Sequence, residues 1–179
     1  MKPKLLLLSL PLALAAFIGW PAADDTPVPA HLAEQVSYER IAGSLHAVLD
    51  AAQETCVAQG ARAPTNHAAF LRLTGRRIAT SGAEFSFALR SSSPINPAAL
   101  PQTEIEATTL DALAQGTQTA PSFHEETLGG RAYFTAIYPQ RATSSACADC
   151  HNDQPASPRH DILEGDLMGA LVIRIPREF

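Results

Sequence analysis

The sequence predicts an α+β domain built on an antiparallel sheet, and three observations lead to that class. Apolar residues recur at helical spacing from about Ala30 to Gln59. Two strand-like segments flank Leu128-Gly129-Gly130, a combination typical of a β-hairpin. The predicted elements follow the order helix, strands, helix, hairpin, loop, strand, without the regular strand–helix alternation of a parallel sheet.

The composition fits one domain and excludes several classes of protein. The chain has 179 residues, of which 46% are apolar and 17% charged, so it can bury a core and is not disordered as a whole. Thirteen Lys and Arg stand against eighteen Asp and Glu. The net charge of -5 argues against nucleic acid as a partner, because nucleic-acid-binding domains usually carry a basic face.

The start of the chain predicts export. Lys2 and Lys4 precede an almost continuous apolar run from Leu5 to Gly19. A short basic start followed by such a run is the layout of a secretory signal, and the run is short for a helix that crosses a bilayer.

Two fates of this segment follow from the sequence. Cleavage after Ala23 would release a periplasmic protein, but it places Pro21 where a small residue is preferred. Without cleavage, residues 5–20 would anchor the protein to the membrane. Residues 24–29 form a Pro-rich linker, and residues 30–179 form the folded domain.

The first element of the domain is a long helix over Ala30–Gln59. Its apolar positions recur at steps of three to five residues and include Leu32, Val36, Ile41, Leu45, Val48, Leu49, Ala52 and Cys56. Gly60 is suited to end the helix because glycine adopts the left-handed conformation found at helix C-termini.

The middle of the chain predicts mixed structure. Arg62–Gly75 has the pattern of a loop with one helical turn, and Arg76–Thr80 and Glu84–Arg90 are strand-like. Ser91–Pro101 holds three prolines and predicts a loop. A second helix is expected over Gln102–Gln115.

The last third of the chain predicts the hairpin and a final strand. The hairpin strands are Ser122–Thr127 and Arg131–Tyr138. A polar loop is expected over Ala142–Arg159, and the last strand over Leu167–Ile175.

The chemistry of the chain is indicated by the sequence Cys147-Ala148-Asp149-Cys150-His151, a C-x-x-C-H motif typical of c-type haem attachment. Two thiols at this spacing can add to the two vinyl groups of one porphyrin, and the adjacent His can bind the iron. The predicted export agrees, because covalent haem attachment of this kind is completed outside the cytoplasm. The motif therefore predicts one covalently bound haem c.

Three other interpretations of the motif remain open. Cys147 and Cys150 could form a redox-active pair, although such pairs usually open a helix after a strand and this pair is predicted in a loop. Cys56 could join them and His151 in a Cys3His zinc site. A plain structural disulfide would leave His151 without a role.

The second axial ligand of the iron must come from elsewhere in the chain. The sequence offers His31, His46, His67, His124, His160, Met168 and Cys56. Cys56 lies on the apolar face of the long helix. At such positions most lone cysteines act as small buried hydrophobic residues. An unpaired thiol is unusual in an oxidising compartment, and binding to iron would explain it. Arg90 and Arg131 are candidates to pair with the haem propionates.

The chain also resembles a bacterial family of exported, PAS-like c-type haem domains whose function is largely unknown. The resemblance runs from about Tyr38 to Ile175. It rests on Cys56, Arg90–Pro97, the helix at Glu104–Leu113, Tyr138-Pro139, the motif at Cys147–His151, and Gly165–Gly169. It implies a PAS-like antiparallel sheet with flanking helices and a long N-terminal helix. It also implies that His151 and Cys56 are the two axial iron ligands and that Met168 packs against the porphyrin edge.

These ligands predict a function without catalysis. A saturated iron with a thiolate ligand favours the ferric state and leaves no open position for oxygen chemistry, so we expect no enzyme. Redox or gas sensing through displacement of Cys56 is the first expectation, with a membrane signalling protein as partner. The alternative is a low-potential electron-transfer cytochrome with a redox partner protein. Contact with the membrane is expected only if the N-terminal segment is not cleaved.

Overall fold

Strands with alternating apolar residues form the centre of the fold. A computed structural model describes residues 29–59 and 67–177. Four strands form one sheet: β1 (Ser86–Arg90), β2 (Ser122–Leu128), β3 (Arg131–Arg141) and β4 (Leu167–Pro176). Their order is β1-β4-β3-β2, and every neighbouring pair is antiparallel. The two longest strands, β3 and β4, therefore lie at the centre of the sheet, where both faces are covered.

Helices cover the two faces of the sheet. The part of the chain that the structure describes contains four α-helices, α1 (Ala30–Gln59), α2 (His67–Thr80), α3 (Glu104–Ala114) and α4 (Ser145–Asn152), and a short 3-10 turn over Pro97–Ala99. Residues Phe134, Ala136 and Tyr138 of β3 pack with α1 and α2, whereas Ile137 of β3 and Val172 of β4 pack with α3. The alternation of side chains along a strand thus produces two separate apolar cores.

A buried network of charges lies on the α3 face of the sheet. Glu106 is fully buried, and its carboxylate lies 3.2 Å from Nε of Arg90 and 2.7 Å from Nη2 of Arg174. Nε of Arg174 also donates to Glu126 at 2.6 Å. Each buried charge has a partner of opposite sign, which buried ion pairs require if they are not to destabilise the fold.

Most of the predicted elements are present. The helices over Ala30–Gln59 and Glu104–Ala114, the hairpin and the last strand lie where the sequence places them, within a few residues at their ends. Gly129 and Gly130 both have positive φ, as a tight hairpin turn requires. The predicted export segment and nearly all of the linker (residues 1–28) lie outside the described residues, as does the predicted helix stop at Gly60.

Three predicted segments were wrong. Arg62–Gly75, expected as a loop with one helical turn, is helical from His67 onward. Arg76–Thr80, expected as a strand, is the last part of the same helix α2. Its buried or half-buried positions Leu71, Gly75 and Ile78 follow helical spacing, and Gly75 lets the helix approach the backbone of Phe87 closely. The polar loop expected over Ala142–Arg159 contains helix α4, which has few apolar residues and therefore a weak periodic signal.

None of the described helices is long and apolar enough to cross a membrane.

Candidate functional site

A cavity of about 330 Å³ opens at one end of the sheet, and we call it the α4 cavity because α4 forms one of its walls. The end of β1, the start of β4 and the end of β3 form its floor, and residues of α2 and α3 complete its sides. The loop that follows β1 closes a further side. Its volume lies within the range of small-molecule binding sites.

Helix α4 presents the C-x-x-C-H motif to this cavity. Ser144 caps the helix, because its hydroxyl accepts a hydrogen bond from the backbone N–H of Cys147. Residues three and four positions apart share one face of a helix. Cys147, Cys150 and His151 accordingly all line the α4 cavity.

The two thiols of the motif have different surroundings. Cys147 is 6% exposed and packs with Ala142, Ile162 and Met168, whereas Cys150 is exposed. Burial raises the pKa of the Cys147 thiol. Hydrogen bonds with Ser144 and Thr143 lower it by a larger amount, so the net pKa lies below the ordinary cysteine value. Oγ of Ser144 lies 3.3 Å from Sγ of Cys147. The thiolate fraction of Cys147 at a given pH is therefore larger than that of an ordinary cysteine.

The helix changes one argument made from the sequence. The pair was expected in a loop, which counted against a redox-active C-x-x-C, but α4 begins four residues after the end of β3. The position of the motif in the chain therefore does not count against a redox-active pair. A different observation now disfavours a redox pair: the first thiol, which should be the accessible nucleophile, is the buried one.

The zinc interpretation finds no support in the described residues. Within residues 29–59 and 67–177, no three His, Cys, Asp or Glu side chains converge on a common point that could hold a metal ion. A Cys3His site needs four such ligands. The structure does not assemble Cys56 with the two motif cysteines and His151 in this way.

Cys56 lies near the last turn of α1 and is half-buried. It is not among the described residues that line the α4 cavity, whereas Gln53, one turn earlier on the same helix, is. The C-terminal end of α1 thus borders the cavity. Cys56 lies one helical turn beyond the residue of α1 that lines the cavity.

The other candidates for the second axial ligand are spread over the fold. Met168 lines the cavity and packs beside Cys147. His46 stacks on Tyr138 with ring centroids 4.0 Å apart, and Nδ1 of His160 lies 2.6 Å from the carbonyl oxygen of Asn152. His31 is exposed at the start of α1, His124 faces Thr109, and the side chain of His67 lies outside the described part of the chain.

Of the two arginines predicted to contact propionates, Arg90 lines the cavity but its guanidinium is already engaged. It bonds Glu106, the carbonyl oxygen of Ala98 at 3.0 Å and the side chain of Gln102 at 2.5 Å. Arg90 therefore holds the loop after β1 in place and has little capacity left for a ligand.

Arg131 is not brought to the site. It begins β3 at the hairpin turn, whereas Arg141, at the other end of the same strand, lines the cavity. Ten residue steps along an extended strand separate the two by about 33 Å. Its guanidinium lies over the ring of Tyr133 instead.

Three arginines of the cavity wall were missed from the sequence: Arg72, Arg141 and Arg159. Arg72 was missed because α2 was not predicted as a helix. Arg159 pairs with Asp161 and Asp166, and Arg141 donates to the carbonyl oxygen of Gly165. No periodic pattern in the sequence links these three positions to one another.

The residues of the α4 cavity fit a covalently attached haem. Two thiols and an imidazole on one wall are the donor set that such a group needs. Apolar side chains form much of the remaining surface and suit a flat aromatic ring system, namely Leu89, Ile95, Leu110, Ile162 and Met168. Arginines at the wall can pair with carboxylates.

A comparison with models of protein families shows which family this chain belongs to. The model of the Tll0287-like family matches residues 31–176, which include every described helix and strand except Ala30, the first residue of α1. The chain belongs to the Tll0287-like family. A search of curated proteins found no significant match.

The fold of this Tll0287-like protein is similar to a solved structure, described as the crystal structure of the cyanobacterial heme-protein Tll0287. The TM-score is 0.57 at 16% sequence identity, and the match covers 78% of this chain and 96% of the other. At this identity the similarity establishes the shared fold. The α+β architecture predicted from the sequence is confirmed by the four-stranded antiparallel sheet and its helices.

The environment of Cys147 yields a prediction about its pKa. Replacing the cap in Ser144→Ala removes a hydrogen bond to the thiol, so the pKa of Cys147 rises toward the ordinary cysteine value and the thiolate fraction falls at any given pH near that pKa. Loss of the cap also lowers the free energy of unfolding by about 1 kcal/mol. Thiolate absorbance against pH, in haem-free protein with Cys56→Ser and Cys150→Ser, measures the pKa.

Ser145→Ala is the matched control for this experiment, because Ser145 is exposed and follows the cap directly. It should leave the titration of Cys147 unchanged. Equal titration curves for the two alanine variants would contradict the role assigned to Ser144.

Proposed function

We propose that this protein is an exported, non-catalytic mono-haem c-type protein that senses redox state or a small gas. Its PAS-like domain would hold the haem in the α4 cavity. The observation that carries the proposal is the convergence of Cys147, Cys150 and His151 on that cavity from one face of α4. Membership of the Tll0287-like family and the fold shared with a cyanobacterial haem protein support it.

The motif residues have distinct roles in this proposal. Cys147 and Cys150 would hold the porphyrin through thioethers, and the lowered pKa of Cys147 gives its sulfur more thiolate character than an ordinary cysteine has. His151, on the same face of α4, would hold the iron. Met168 and Ile162 pack beside Cys147 and keep this wall apolar.

Cys56 is the proposed second axial ligand, and its position on α1 gives the ligand a regulatory role. A haem held by an imidazole and a thiolate would supply a low-potential one-electron couple and a thiolate bond that a small gas could replace. Cys56 lies near the end of α1, next to the cavity wall formed by Gln53. Its binding and release would therefore shift the end of a 30-residue helix.

Helix α1 is suited to pass such a shift to a partner. Tyr38, Ala42 and Leu49 pack on the sheet, whereas Val36, Ile41 and Val48 are exposed. In this proposal the side of α1 that packs on the sheet responds to ligand exchange at the haem, and the exposed side of α1 is available to a membrane signalling protein. Export would place this domain in the periplasm, either free or anchored by residues 5–20.

Electron transfer is the second candidate function, and the exposure of Cys150 favours it. A thioether at an exposed cysteine would bring one edge of the haem to the protein surface, where a redox partner protein could exchange electrons with it. In this case Cys56 would stay bound in both redox states and α1 would not move.

Covalent attachment is tested with the two motif cysteines. Cys147→Ala and Cys150→Ala should each leave one thioether, so the pyridine haemochrome spectrum should shift from that of a two-thioether haem to that of a one-thioether haem. The double variant should lose all its haem to acid–acetone. Cys56→Ala is the control, since it keeps both thioethers. Extraction of the haem from the unaltered protein would contradict covalent attachment.

Ligation by Cys56 distinguishes sensing from electron transfer. Cys56→Ala should keep the haem but lose the low-spin thiolate signal in the electron paramagnetic resonance spectrum of the ferric protein. Thr55→Ala is the matched control, because its hydroxyl bonds the carbonyl oxygen of Ala51 within the helix. In the unaltered protein, reduction under CO should displace Cys56 and speed amide hydrogen exchange at the end of α1.

An unchanged ferric spectrum in Cys56→Ala would remove Cys56 from the site. A reduced protein that forms no CO or NO adduct, keeps its α1 exchange rates and exchanges electrons rapidly with a cytochrome would favour the electron-transfer function over sensing.

A further inference from the structure

The wall of the α4 cavity carries positive charge in an acidic protein. The chain has a net charge of -5, yet the described residues lining the cavity include four arginines and no Asp or Glu. A cavity with this lining favours an anionic ligand. The position of each arginine decides which part of such a ligand it can reach.

Three of these arginines have partners within the protein. Arg90 is bound to Glu106 and to groups of the loop after β1, and Arg159 is paired with Asp161 and Asp166. Arg141 donates to the carbonyl oxygen of Gly165 at 3.0 Å. These contacts use part or all of the hydrogen-bonding capacity of the three guanidinium groups.

Arg72 is different. It lies on α2 at the cavity wall, and within residues 29–59 and 67–177 its side chain makes no ion pair and no hydrogen bond. Ala68 and Ala69, one turn earlier, also line the cavity. Their small side chains leave space next to Arg72, so a flat ligand could lie against this part of α2 with its charged edge at the guanidinium.

The position of α2 matches the chemistry of the porphyrin. Protohaem carries its two vinyl groups on one half of the ring and its two propionates on the opposite half. In the proposed function Cys147 and Cys150 would fix the vinyl half at α4, so the propionates would point away from α4. Helix α2 packs on β1 and α1, whereas α4 packs in the cluster of Ala142, Ile162 and Met168.

We propose that Arg72 binds a haem propionate and so fixes the orientation of the haem edge opposite α4. This inference rests on the proposed haem-binding function. A guanidinium group can donate two parallel hydrogen bonds to a carboxylate, which makes it the side chain best matched to this role. Arg131, a propionate partner expected from the sequence, lies about 33 Å along β3 from the cavity end of that strand. Arg72 takes over its role in this proposal.

The first test uses the reduction potential of the holo protein. Arg72→Gln removes a positive charge beside a propionate, so the midpoint potential at neutral pH should fall and the pH dependence of the potential caused by propionate ionisation should move to higher pH. Arg77→Gln is the matched control, because Arg77 is exposed on the same helix and does not line the cavity. It should leave both quantities unchanged.

The second test separates propionate binding from a structural effect. Haem-free protein with Cys147→Ser and Cys150→Ser is titrated with haemin and with haemin dimethyl ester, which has no free propionates. Adding Arg72→Gln should weaken haemin binding about tenfold and leave binding of the diester unchanged. Equal weakening of both ligands would overturn the proposal.

Other outcomes also decide the matter. If Arg72→Gln and Arg77→Gln shift the potential equally, or if Arg141→Gln alone reproduces the expected shift, Arg72 is not the propionate ligand. These results leave the haem in place and overturn only this inference. An unaltered protein that carries no haem when matured would instead overturn the proposed function.

Discussion

Residues three and four positions apart on an α-helix share a face, and the proposed site depends on how α4 uses this constraint. Cys147, Cys150 and His151 lie on the side of α4 that lines a cavity at the end of the sheet. The helix begins at the Ser144 cap, so the same residue that starts α4 also lowers the pKa of the Cys147 thiol. Local helix geometry, thiol reactivity and ligand placement are thus set by one short segment.

The cavity walls other than α4 are held in position by the core of the domain. Arg90 connects the buried Glu106 of α3 to the loop that follows β1, and that loop forms one side of the cavity. Gly169, at the start of β4, has no space for a Cβ because the carbonyl oxygen of Arg90 lies against it. The close approach of β1 to β4 therefore positions the cavity floor. Packing that stabilises the sheet also shapes the site.

The sequence predicts the sheet well and the site in part. The hairpin and α1 are recognised because glycines and long apolar periodicity are strong local signals. The motif cysteines and His151 are recognised because their spacing has a chemical meaning that does not depend on the fold. Helix α4 is missed because its eight residues are mostly small or polar. The cavity arginines are missed because Arg72 and Arg141 become neighbours of one cavity only through tertiary packing.

The central claim is that one haem is covalently bound through Cys147 and Cys150. The most direct measurement is the intact mass, under denaturing conditions, of the full chain expressed in a cell that matures c-type cytochromes. We expect a mass equal to that of the polypeptide plus one haem, with Cys56 the only thiol that an alkylating reagent modifies. A polypeptide of unmodified mass, with all three thiols open to alkylation, would contradict it.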